Sequence, residues 1–127
     1  MTAEPPPIEI LLVEDDRDQR ESLAEVLEQE GYRVIQAANG QAALAALRDG
    51  SAPAVIVLDM IMPVMNGWQF CEVQKSDPAL ARIPVVALSS AVKKDRQSPY
   101  YAEVDEIVPK PVVFRRLLST IRSLVVR

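Results

Sequence analysis

Short apolar runs alternating with segments of helical period constrain this chain more than any other feature. Ile8–Val13, Arg33–Ala37, Ala54–Leu58, Pro84–Leu88 and Asp105–Pro109 read as five strands. Ile8–Val13, Ala54–Leu58 and Pro84–Leu88 are almost wholly apolar and partly β-branched, as short buried strands are. Between them lie helical stretches. Asp16–Glu30 carries Leu23, Val26 and Leu27 on one stripe and stops at Gly31. Asn39 or Gly40 opens a second helix covered by Ala42, Ala43, Leu44, Ala46 and Leu47. Asn66 is an N-cap candidate for a third, carrying Trp68, Phe70 and Cys71. Val92–Tyr101 is a weak fourth helix, interrupted at Ser98-Pro99. Val112–Val126 is the last, with Phe114, Leu117, Leu118, Ile121, Leu124 and Val125 on one side.

Five strands alternating with helices give an α/β fold. Right-handed crossovers most simply yield a flavodoxin-like, doubly wound (βα)5 arrangement: a five-stranded parallel sheet of order 2-1-3-4-5 with helices on both faces. Residues 1–7, with three consecutive prolines, read as a disordered lead, and residues 8–127 as one domain.

Polar groups stand where the apolar runs end. Glu14 and Asp15 follow the first, Asp59 the third, Ser89 the fourth and Lys110 the fifth. In a parallel sheet these positions share one edge, the crevice where open α/β sheets bind ligands. Three acids, a hydroxyl and a lysine suit a hard divalent cation beside a phosphoryl group. Taken singly, each has an ordinary reading. Asp59 could simply start a turn, Asp16 and Asp18 could favour a helix N-terminus, Ser89 could cap a helix, and Lys110 could be a solvated surface lysine.

Composition excludes several chemistries. There is no histidine, which removes the commonest general base and zinc ligand. The single cysteine, Cys71, cannot form an internal disulfide, which fits a reducing, cytoplasmic setting. A net charge of −4 argues against direct nucleic-acid binding. No apolar stretch is long enough to span a membrane.

The ordered segments Ile10–Asp16 (ILLVEDD), Val57–Pro63 (VLDMIMP) with Asn66-Gly67, Ala87–Ser90 (ALSS) and Val108–Pro111 (VPKP) together resemble the receiver domain of two-component response regulators. The resemblance runs from Ile8 to Val126. It implies a phosphorylation-dependent signalling switch, not an enzyme in the usual sense. Asp59 would accept a phosphoryl group from the phosphohistidine of a sensor histidine kinase or histidine phosphotransfer protein. Glu14 and Asp15 would hold Mg²⁺ together with Asp59 and the Ile61 backbone carbonyl. Ser89 would be the switch hydroxyl and Lys110 the phosphate-pairing lysine, with the Lys110–Pro111 bond cis.

Output would come from docking to a downstream protein or to a second copy, through the face of the fourth helix, the fifth strand and the last helix. Lys93, Lys94, Arg96, Tyr100, Tyr101, Arg115 and Arg122 line that face, and simple solvated charges explain them equally well. A stand-alone switch, with no output domain after the last helix, is expected. The chain also departs from the family. Ile107 stands where Tyr or Phe is usual, Ser90 follows the switch residue, and Val64 replaces a common Gly, which suggests a different turn. Ile107 keeps open the alternative of a phosphorylation-independent interaction module. A phosphatase of the aspartyl-nucleophile type is excluded, because Ile61 occupies the place of its second acid.

Overall fold

The computed structural model describes residues 6–62, 64–89 and 104–125. The expected helix over 92–101, together with Ser90, Ala91 and the charged and tyrosine residues assigned to it, lies outside these ranges. Strands β1 (Glu9–Val13), β2 (Arg33–Ala37), β3 (Val55–Asp59), β4 (Val85–Ser89) and β5 (Glu106–Pro109) form one parallel sheet in the order β2-β1-β3-β4-β5. Helices α1 (Arg17–Gln29), α2 (Gly40–Arg48), α3 (Gly67–Ser76) and α4 (Phe114–Val125) complete the described elements. This is the expected doubly wound, flavodoxin-like architecture.

The period of two along each strand sorts the core into two layers. Leu11, Val13, Ile56, Leu58, Val85 and Ala87 face α2 and α3, where Phe70 and Leu44 meet them. Ile10, Leu12, Val57, Val86, Leu88 and Val108 face α1 and α4, meeting Leu23, Leu27, Leu117 and Ile121. Each such side chain, fully removed from water, contributes about 1.5–3 kcal/mol of transfer free energy.

Local signals set the helix ends. Asp16 caps α1 by accepting from the Gln19 amide at 2.9 Å, and Asn39 caps α2 from Ala42 at 2.8 Å. Asn66 and Gln69 form a reciprocal capping box at the start of α3 (2.9 and 3.0 Å). Beyond α1 the chain turns through Gly31 at φ +94°, a conformation that L side chains rarely adopt.

Two expectations are corrected. Phe114 was expected on the buried side of the last helix, yet it is 42% exposed. It continues the Leu117–Ile121–Leu124 stripe one turn upstream, but it opens α4 and lines a surface groove instead of joining the core. Val64 was expected to change the turn after β3, yet it takes φ +70°, so the loop keeps a left-handed conformation with a β-branched residue in it.

Candidate functional site

Strand register assembles the site. Val13 lies beside Leu58, Asp59 beside Leu88, and Ser89 beside Pro109. The residues at the carboxyl ends of β1, β3, β4 and β5 therefore reach one edge at nearly the same height. Asp59 is the last residue of β3 and not the first of a loop, so its backbone is fixed by the sheet.

Asp59 is only 3% exposed, and Glu14 1%. Asp15, next in the chain, faces solvent. One carboxylate oxygen from each of the three lies within 4.8 Å of the others. Lys110 Nζ approaches Asp59 Oδ1 at 3.1 Å and Glu14 Oε1 at 3.5 Å, from a side chain 24% exposed. Its position is set by its amide, which donates to the Ser89 carbonyl at 2.9 Å; the Lys110–Pro111 peptide is cis. Ser89 itself is buried at the tip of β4. The Ile61 side chain points to solvent, while its amide donates to Asp59 Oδ1 at 3.1 Å.

The charge balance is unfavourable without a further cation, since one lysine faces three acids. Glu14 shows it most clearly. Burial and the neighbouring Asp59 carboxylate push its pKa up from 4.5 to about 7, against the opposing pull of the Asp16 amide and Lys110. Its Oε2 accepts from that amide at 3.2 Å, but buried Oε1 makes no hydrogen bond. A hard, oxygen-seeking divalent cation would offset this charge and give Oε1 a closer partner than Lys110, so the donor set fits Mg²⁺.

Arg20 escaped the sequence reading. Its Nη1 donates to the Glu14 carbonyl at 2.9 Å and its Nε to Gln36 Oε1 at 3.3 Å, which ties the acidic corner to α1 and β2. The available signal was helical spacing: Arg20 precedes Leu23, Ala24 and Leu27 by three, four and seven residues, a charge on the buried stripe. Gly67 also matters. A Cβ there would meet Met60 Sδ at 2.5 Å, Met60 Cα at 2.7 Å and the Asp59 carbonyl at 3.2 Å, so its absence lets α3 close against the end of β3.

Residues 10–122 match the response regulator receiver domain. The chain belongs to this family. Receiver domains are signalling switches of two-component systems, and the strand order of this sheet is that of the flavodoxin-like receiver fold. Among curated relatives, response regulator MprA of Mycolicibacterium vanbaalenii is 35% identical over 121 residues, covering 95% of this chain and 52% of that protein. Polar-differentiation response regulator DivK of Brucella anthropi is 29% identical over 118 residues, covering 92% of this chain and 95% of its own length. This receiver spans about half the length of the MprA relatives. The signal receiver domain of a signal transduction histidine kinase from Syntrophus aciditrophicus superposes with a TM-score of 0.82 at 34% identity, covering 92% of this chain and 89% of that one. Chemotaxis response regulator CheY4 of Vibrio cholerae gives 0.84 at 26% identity, covering 94% and 99%. Among the described residues of this receiver, no helix is long and apolar enough to cross a membrane.

Proposed function

We propose that this receiver accepts a phosphoryl group on Asp59 from the phosphohistidine of a sensor histidine kinase or histidine phosphotransfer protein, and passes the signal on by protein docking. The observation that carries this reading is the buried Asp59 carboxylate held 3.1 Å from Lys110 at the edge shared by Glu14 and Asp15. An Asp59 carboxylate oxygen attacks phosphorus, the bond from phosphorus to the partner's imidazole nitrogen breaks, and the imidazole leaves with the electron pair. Lys110 offsets the negative charge on the oxygens in flight, and Ser89, at the neighbouring strand end, donates to one of them once the phosphoryl group is attached. Glu14, Asp15, Asp59 and the Ile61 carbonyl would hold Mg²⁺. The ion supplies charge neutralisation for the phosphoryl oxygens. Water later cleaves the acyl phosphate and restores the carboxylate.

One observation favours a second reading. Ile107, where the family usually has an aromatic ring, is packed against the core layer beneath α2 and α3. It offers no ring to swing between buried and exposed positions, as an interaction module indifferent to phosphorylation would allow. Intact mass after incubation with Mg²⁺ and a small phosphodonor separates the two. A gain of one phosphoryl group, lost in Asp59→Asn and without magnesium, supports the switch. No gain from the phosphodonor or from a panel of autophosphorylated histidine kinases sinks it.

A further inference from the structure

Glu14 stands one residue beyond β1, and its backbone is held on both sides. Its amide donates to the Ala37 carbonyl at 3.1 Å, which carries the pairing of β1 with β2 one step past Val13. Its carbonyl accepts not from a strand but from a side chain, Arg20 Nη1, at 2.9 Å. Arg20 is itself fixed at two further points. Its amide closes the first turn of α1 on the Asp16 carbonyl at 2.8 Å, and its Nε donates to Gln36 Oε1 at 3.3 Å. Gln36 belongs to β2, opposite Leu12 of β1. One guanidinium thus joins α1, the end of β1 and β2.

What Arg20 leaves alone is equally informative. Among the described residues it makes no ion pair with a carboxylate, although the acidic corner begins at the carbonyl it holds. An arginine present only to neutralise acids would turn its fork to a carboxylate, the contact that its planar donors favour. A planar peptide turns as one piece, so holding the Glu14 carbonyl fixes the peptide that joins Glu14 to Asp15. With the Glu14 amide tied as well, the directions in which the two side chains leave the strand end are set: Glu14 inward, Asp15 towards solvent.

We propose that Arg20 is a positioning residue for the cation site, acting through the Glu14 carbonyl to fix the peptide from which the Glu14 and Asp15 carboxylates project, with Gln36 holding the guanidinium in place. This rests on the reading of those two acids as Mg²⁺ ligands. Mg²⁺ accepts little departure from octahedral geometry, and groups that orient its ligands without touching the ion contribute about 10–100-fold in affinity. Electrostatics alone works the other way, since deleting a positive charge beside an acidic site tightens a bound cation. The sign of the change therefore separates a positioning role from a charge effect.

The test is calorimetric titration of the unphosphorylated full chain with magnesium chloride. Arg20→Met removes both side-chain hydrogen bonds and is expected to weaken Mg²⁺ binding about tenfold or more, with unchanged circular dichroism. Arg20→Lys keeps the charge but loses the two-point hold, so its affinity is expected between those of Arg20→Met and the native chain. Gln36→Leu removes the anchor and no charge, and is expected to weaken binding by a smaller factor. Arg17→Met deletes the same charge from an exposed position on the same helix and is expected to leave binding no weaker. Native or tighter affinity in Arg20→Met overturns the proposal, and so does equal weakening in Arg17→Met. If Arg20→Met does not fold, Arg20→Lys decides, since native affinity there overturns the role as well. A native chain that binds no Mg²⁺ overturns the cation reading itself, an outcome distinct from native binding left unaltered by the Arg20 variants.

Discussion

Lys110 Nζ sits 3.1 Å from Asp59 Oδ1 and 3.5 Å from Glu14 Oε1, so one ammonium is shared by two buried carboxyl groups from different strands. The lysine reaches them from the loop after β5, across the end of β4. Its own position depends on the hydrogen bond from its amide to the Ser89 carbonyl. Replacing it with methionine keeps the length and removes the charge. We expect Lys110→Met to lose about 1–2 kcal/mol at neutral pH, less than a fully buried pair because the lysine is partly solvated. Phosphoryl uptake from a small donor should fall at least tenfold, which a mass time course would measure.

Glu14 makes stability depend on pH in the direction opposite to most carboxylates. Its pKa is about 7 in the folded chain against an ordinary 4.5, so the folded state holds the proton more tightly. The contribution is therefore full below about pH 4.5 and is lost as pH rises through 7, a change of about 3 kcal/mol. Urea denaturation of the metal-free protein should show this decline, after subtraction of the other carboxylates through the Glu14→Gln variant, which lacks it. Magnesium favours the ionised form, so its affinity should rise through pH 7 in the native protein. A Glu14 contribution that grows between pH 5 and 7 would contradict the reading.

Val64 holds φ +70° while 71% exposed, so its side chain gains little from packing and its backbone is strained. Val64→Gly relieves that strain, at the cost of a more flexible unfolded chain. A net gain of about 1 kcal/mol in unfolding free energy, read as a higher denaturant midpoint, is expected, with Val64→Asn intermediate. A Val64→Gly variant less stable than the native chain would show that the left-handed turn carries no strain.

Gly67 is expected to tolerate no side chain. Alanine raises helix propensity by about 1 kcal/mol, but its methyl would press on the Met60 backbone directly beneath Asp59. Overpacking of this kind costs about 1–3 kcal/mol. Gly67→Ala should unfold at lower denaturant and take up phosphoryl groups more slowly, since the backbone it displaces is that of the acceptor. Gly50→Ala offers a control: a Cβ there has open space, and only its φ of +100° resists it.

The alternation of apolar runs and amphipathic stretches, with a cap at Asn66, was enough to derive the strand order and the edge on which Glu14, Asp15, Asp59, Ser89 and Lys110 meet. Such features are local or periodic: a cap acts within one turn, and a buried strand declares itself through its own composition. Other properties depend on distance through space. That Glu14 is buried and Asp15 exposed, though adjacent in the chain, follows from which way each side chain leaves the end of β1. That Arg20 holds the Glu14 carbonyl requires α1 to pack across β1 at one particular height. That Phe114 lines a groove instead of the core, and that Val64 keeps a left-handed turn, were decided by where neighbouring elements end. Periodicity names the face a residue occupies, but only the packed structure sets what stands opposite it, because burial, charge pairing and backbone strain are all determined by neighbours distant in sequence.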